Sequence, residues 1–267
     1  MEWIPLFPEG KSKSLTFSYD DGSSHDARLI EILNKYGMKG TFNICSGWCP
    51  DEDKLKEKVA GYAGHEIACH GTFHPFLKRM PLSSSLEDML HDRKCLEKAA
   101  GHVIHGMAYP YEVCNPEVVS MLRSAGFVYA RTGRANNRFD VPYDFMEWDP
   151  TCHHNDATIE LADRFLSTYY VFAICYVWGH SAEFNSHQNW DVIEKFCERL
   201  AGQKDIWYAT NIEIYDYITA VRRLEFSADN RFVRNPSAQT VWLRNVPWKN
   251  VIKVPGGTEI ELHEEKQ

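Results

Sequence analysis

The feature that most constrains this chain is an alternation of short β-rich runs with amphipathic helical stretches, repeated seven times. The expected strands are Leu15–Tyr19, Thr41–Ile44, Glu66–Cys69, Val103–Ala108, Phe127–Ala130, Val171–Val177 and Ile206–Ala209. Between them, apolar residues recur at helical spacing in Asp26–Tyr36, Asp53–Tyr62, Leu86–Ala100, Glu117–Ala125, Ile159–Tyr169, Trp190–Leu200 and Ile212–Val221. Gly37, Gly101 and Gly126 supply helix stops, and Pro116 opens the fourth helix. Strands joined through helices run parallel, so the class is α/β, with a sheet either doubly wound or closed into a barrel. After about Arg223 the period changes to short alternating pieces separated by Asn, Pro and Gly-Gly. Residues 1–222 are therefore read as the β/α domain and 223–267 as a small antiparallel β appendage.

Composition narrows the function. Lys and Arg number 29 against 37 Asp and Glu, a net charge of −8 with no basic block, which argues against nucleic acid as a partner. The longest apolar run, around Tyr169–Trp178, is about ten residues and too short for a membrane span. The first residues lack a basic segment leading into a long apolar one, so the expected location is cytoplasmic. The eight cysteines are scattered and read as free, mostly buried thiols. Oligomeric state is not legible at this level.

The chemistry-bearing residues fall just after predicted strands. Asp20-Asp21-Gly22 follows the first, His70-Gly71-Thr72-Phe73-His74 the third, Tyr109-Pro110-Tyr111 the fourth and Gly179-His180-Ser181-Ala182-Glu183 the sixth. In a parallel β/α barrel these ends share one rim, where catalytic groups collect. Asp-Asp-Gly is a turn signal before it is a catalytic one. As a site it needs its carboxylates to diverge, which the pleat of a strand would supply. His70 and His74 are either polar loop residues or, with a neighbouring Asp, a two-His-one-carboxylate face for a divalent ion. His180 reads as a rim histidine or a general acid. Glu183 reads as its support or as a solvated carboxylate. His153 and His154, near Asp149, read as surface residues by default.

These clusters, in this order over residues 14–215, resemble the polysaccharide deacetylase superfamily, carbohydrate esterase family 4. Ser18-Tyr19-Asp20-Asp21-Gly22 resembles its Thr-Phe-Asp-Asp-Gly. That resemblance implies a general base at Asp20 and a metal ligand at Asp21. His70–His74 resembles its His-(Ser/Thr)-x-x-His and implies the other two ligands, with Gly71 standing where a hydroxyl residue belongs. Ala108-Tyr109-Pro110-Tyr111 resembles Arg-x-Pro-Tyr but lacks the arginine that braces the base. Glu147-Trp148-Asp149 has the residue types of the fourth motif in another arrangement and suggests Asp149 as partner of His180. Tyr176–His180 is similar to the fifth motif.

The resemblance implies a distorted (β/α)7 barrel, one divalent metal (usually zinc, with cobalt or nickel also suited) and removal of acetyl from N-acetylated sugars. On that basis Asp20 would deprotonate the attacking water and His180 would protonate the leaving amine. The Tyr111 backbone N–H would face the oxyanion. Trp48, Tyr111, Trp148 and Trp178 are candidate walls for a sugar ring, with core packing the equal alternative for each. The missing arginine is expected to be replaced by Arg131, which directly follows the next strand, although a surface arginine is the other reading. Rival functions are hydrolysis of a small non-sugar amide and non-hydrolytic carbohydrate binding.

Overall fold

The computed structural model describes residues 2–246 and 250–262. β1 (Glu2–Leu6) is followed by β2 (Lys13–Asp21), buried along all but its last residue. The repeating part continues with α1 (Asp26–Lys35), β3 (Gly40–Ile44), α2 (Glu52–Ala60), β4 (Glu66–Cys69) and α3 (Leu82–Ala100). Then come β5 (Gly106–Ala108), α4 (Pro116–Ser124), β6 (Tyr129–Arg131), β7 (Cys152–His153) and α5 (Ile159–Ser167). β8 (Ala173–Gly179), α6 (Ser181–His187), α7 (Trp190–Leu200), β9 (Ile206–Tyr208) and α8 (Asn211–Arg222) complete it.

The strands form one parallel sheet in the order β6-β5-β4-β3-β2-β8-β7, with β9 beside the start of β2. Curling brings its two ends together, and the segment 148–151 bridges them. Trp148 N–H donates to Ala130 O at 3.0 Å and Thr132 N–H to Trp148 O at 3.1 Å, on the β6 side. Thr151 N–H donates to Tyr176 O at 2.8 Å on the β8 side. The fold is thus a distorted (β/α)7 barrel, as the motif order implied.

Local chemistry explains the helices. Asp51 caps α2 by accepting from Lys54 N at 2.8 Å, and Asn115 caps α4 by accepting from Val118 N at 2.9 Å. Thr210 and Glu213 form a capping box at the start of α8. The apolar faces of α1, α3, α4, α5 and α7 close over β2–β6 and β8 in one core cluster, from Leu29 and Leu33 on one flank to Ile193 and Phe196 on the other.

Three features depart from expectation. The run Val103–Ala108 contributes only Gly106–Ala108 as strand, and α6 was not foreseen. The sequence beyond α8 folds as β10 (Glu225–Phe226), β11 (Phe232–Asn235), β12 (Val241–Val246), β13 (Val251–Val254) and β14 (Thr258–Glu261). These form antiparallel sheets, but β12 pairs with β1 as well as β13. A boundary after residue 222 therefore assigns Glu2–Leu6 to the wrong sheet. Tyr217 of α8 ties the parts together, donating to Leu6 O at 2.5 Å and accepting from Trp242 N at 3.1 Å. All eight cysteines are free. Among the described residues no helix is long and apolar enough to cross a membrane.

Candidate active site

Asp20 and Asp21 end β2 at the barrel rim. Strand pleating should send them apart, but Asp21 has φ 76 and Gly22 φ 62, so the alternation breaks at the last residue. Both carboxylates consequently face one imidazole. His70 Nε2 lies 3.8 Å from Asp20 Oδ2 and 3.7 Å from Asp21 Oδ1. The expected divergence is replaced by convergence because the chain leaves the β region there.

His70 follows β4 and is buried. Its Nδ1 meets Ala108 O at 2.9 Å, an N–H to carbonyl contact that leaves the Nε2 lone pair aimed into the site. Burial is the largest influence on it and holds its pKa below the ordinary value, against the pull of Asp20 and Asp21. His74 is reached through a loop with Gly71 at φ 78 and His74 itself at φ 54. α3 holds this loop from below with two carboxylates one turn apart. Asp92 accepts from His70 N at 3.1 Å, Gly71 N at 3.0 Å and Ser46 N at 2.9 Å. Asp88 accepts from Thr72 N at 2.9 Å, and Thr72 Oγ1 donates to Asp88 O at 3.1 Å. The hydroxyl displaced by one position thus still fastens the loop.

One ligating atom from each of Asp21, His70 and His74 lies within 4.8 Å of the others. Asp21 Oδ1 and His70 Nε2 are buried without hydrogen-bond partners, an arrangement that costs free energy unless something binds between them. Two imidazoles and a carboxylate suit zinc, cobalt or nickel.

Asp20 is gripped from two strands. Asn43, its register partner on β3, donates from Nδ2 to Oδ1 at 2.8 Å. Arg131 Nη2 donates to Oδ2, while Nη1 bonds Thr132 O at 3.1 Å and the guanidinium lies 4.4 Å from the Trp178 ring centroid. Arg131 is fully buried and pairs in register with Ala108, the position that lacks the family's arginine. Burial pushes the Asp20 carboxyl upward, but Arg131, His70 and His180 outweigh it and hold its pKa below the usual value.

His180 follows β8, across the site. Its Nε2 is 3.9 Å from Asp20 Oδ2 and 4.0 Å from Asp21 Oδ2, and its Nδ1 meets Glu183 Oε1 at 2.9 Å. Glu183, not Asp149, is therefore its partner. The Asp149 carboxylate accepts instead from Thr132 Oγ1 and from Arg134 Nε at 2.9 Å. Of the two candidates in the sequence, support from Glu183 is thus the one realised, and the His-x-x-Glu spacing across a helix start favours it because residues three apart share a face.

Tyr111 has φ 56 and is 52% exposed, its ring centroid 4.4 Å from that of His74. Trp48 is likewise half exposed, beside His74. Trp148 is buried against Tyr129, Phe145 and Tyr176, so it is core and not a wall. Trp178 is buried beside Arg131. Asn43 escaped the sequence reading, since a strand asparagine carries no motif. Glu112, half buried at φ 63 and within electrostatic reach of Arg131 and His180, escaped it too.

Residues 8–130 match the polysaccharide deacetylase family. A chitooligosaccharide deacetylase from Bradyrhizobium sp. (strain ANU 289) is 22% identical over 135 residues, 47% of this chain and 61% of that protein, so under two thirds of the relative is spanned. A structure from Mycobacterium smegmatis, provisionally described as a polysaccharide deacetylase, superposes with a TM-score of 0.62 at 19% identity, covering 83% of this chain and 96% of that one. Puue allantoinase gives a TM-score of 0.59 at 12% identity, covering 78% and 91%. At such identities the two structures speak to the fold.

Proposed function

Starting from a chain that carries a polysaccharide deacetylase domain over residues 8–130, we propose that it is a metal-dependent hydrolase removing acetyl from an N-acetylated sugar or oligosaccharide. Asp21, His70 and His74 would hold one divalent ion, zinc by preference. That ion would supply Lewis-acid polarisation of the amide carbonyl and a more acidic water. Asp20, kept ionised by Arg131 and oriented by Asn43, is the base that takes the water's proton. His180, oriented through Nδ1 by Glu183, delivers a proton to the leaving amine. The Tyr111 N–H is assigned to the developing oxyanion, and its exposed ring with Trp48 to one face of the sugar.

The observation that carries this reading is the approach of two differently braced groups to one Asp21–His70 edge. An Arg-paired carboxylate lies 3.8 Å from its imidazole, and a Glu-paired imidazole lies 4.0 Å from its carboxylate. The test is acetate release from N-acetylglucosamine oligomers of increasing length, with allantoin and linear small amides in the same panel. Turnover of the oligomers that disappears in Asp20→Asn supports the proposal. Turnover confined to the non-sugar amides would replace the substrate class. Absence of any turnover in metal-loaded protein would leave a carbohydrate-binding role.

A further inference from the structure

Behind His180 lies a second group of potential ligands that the deacetylation scheme leaves unused. Glu183 turns only one oxygen, Oε1, to His180. The other, Oε2, stands 3.3 Å from His153 Nε2 and 3.2 Å from His154 Nε2. Neither imidazole completes a hydrogen bond to that oxygen, so the three atoms approach one another without pointing at one another. His154 is wholly buried, and both its ring nitrogens lack a hydrogen-bond partner. Its ring stacks on Phe184 at a centroid distance of 4.0 Å, with the Tyr19 ring 5.8 Å away. Gly179 makes the room, because a Cβ there would fall 2.0 Å from His154 Nδ1. A fully buried imidazole without a partner is costly, and this one is fixed in place by the packing around it.

We propose that His153, His154 and Glu183 form a second divalent-cation site, for zinc or a metal of similar preference. Three observations support it. The ligating atoms of the three residues lie within 4.8 Å of one another, the only such group among the described residues besides Asp21, His70 and His74. A tetrahedral ion with arms of about 2.0–2.1 Å separates its ligands by about 3.3 Å, which is the spacing found around Glu183 Oε2. The burial is graded, since His154 is sealed while the side chains of His153 and Glu183 are 22% and 32% exposed, giving an ion an entry side and an open position for water.

One contact is surrendered on loading. Asn155 N–H reaches His153 Nδ1 at 3.4 Å, at the outer limit of hydrogen bonding, and the tautomer that ligates through Nε2 gives it up. In return the ion fixes Oε2 while Oε1 keeps its contact with His180. The carboxylate is then a bridge from the second ion to the catalytic imidazole.

The test separates this site from the first. A His70→Ala/His74→Ala variant removes two ligands of the other site and serves as background, with zinc followed by equilibrium dialysis and cobalt by its visible absorption. The expected result is about one equivalent of ion retained. Adding His153→Gln should then weaken binding by at least tenfold, in line with loss of one of three ligands. His153 is chosen because it is half exposed and its replacement leaves the packed His154 ring in place. Loss of all ion from the background variant overturns the proposal. So does binding that His153→Gln and Glu183→Gln both leave unchanged. Failure of acetate release in the wild type bears on the first site's chemistry and leaves this measurement intact.

Discussion

Arg131 reaches the Asp20 carboxylate from the strand position in register with Ala108, so the charge missing from one strand is delivered by the next. A guanidinium from either place serves the same end: it offsets burial and keeps an acid ionised beside Asp21 and His70. Exchanging the supplying strand leaves the carboxylate's environment intact.

Arg131→Met should therefore raise the Asp20 pKa, move the acidic limb of the rate profile to higher pH and lower kcat by about 10- to 100-fold. Bound metal should stay unchanged. The same substitution strands a buried carboxylate and should cost about 3–5 kcal/mol of stability near neutrality. Asp20 has a lowered pKa in the folded protein, so its contribution is present above the unfolded value and lost as pH falls through the folded one. The stability gap between wild type and variant should accordingly narrow in acid. A gap independent of pH would refute the pairing.

Glu183→Gln and Asp149→Asn distinguish the two candidate partners of His180. Glu183 contacts Nδ1, whereas Asp149 is occupied by Thr132 and Arg134. The first substitution should lower kcat by about 10- to 100-fold with KM little changed. The second should have a far smaller effect. Equal losses in the two variants would show that the contacts do not reflect their roles.

Gly71→Ser would restore the hydroxyl residue of the family pattern, yet it should destabilise the protein. Gly71 has φ 78, and a Cβ there would fall 2.2 Å from Pro75 Cδ. Strain of about 1–3 kcal/mol should lower Tm and loosen metal retention at His70 and His74. Thr72 already supplies the loop's hydroxyl contact. A more stable variant with tighter metal would contradict this account of the loop.

Glu66, at the other end of the barrel, accepts from Tyr129 Oη at 2.6 Å, Thr41 Oγ1 at 2.8 Å and Ile212 N at 2.9 Å. Burial, opposed only in part by these bonds, pushes its pKa up to about 7. A raised folded-state pKa means that stability is greatest below the unfolded value and falls as pH rises towards 7. Glu66→Gln can keep the Thr41 and Ile212 contacts on its amide oxygen and donate its NH2 to Tyr129 Oη, and should flatten that decline, by up to about 3 kcal/mol. Urea denaturation of metal-free protein between pH 4.5 and 8 measures it, and parallel curves for the two proteins would exclude Glu66 as the cause.

The repeated β–α pattern was legible in the sequence because burial imposes it residue by residue. β4 and α7 occupy the expected spans Glu66–Cys69 and Trp190–Leu200 to the residue. A buried strand must be apolar on at least the face that meets the helices, and a packed helix must repeat every three to four residues. The rim clusters were legible for a related reason: polar residues at the ends of apolar strands have one place to go. Direction and partnership were not legible. The left-handed turn at Asp21 that makes two adjacent carboxylates converge depends on the whole loop. The pairing of β1 with β12 joins residues more than two hundred positions apart. Local sequence fixes which residues are buried and at what period. Only closure of the barrel decides which side chains meet, because those contacts run between strands and loops that the chain places together without any signal in their spacing.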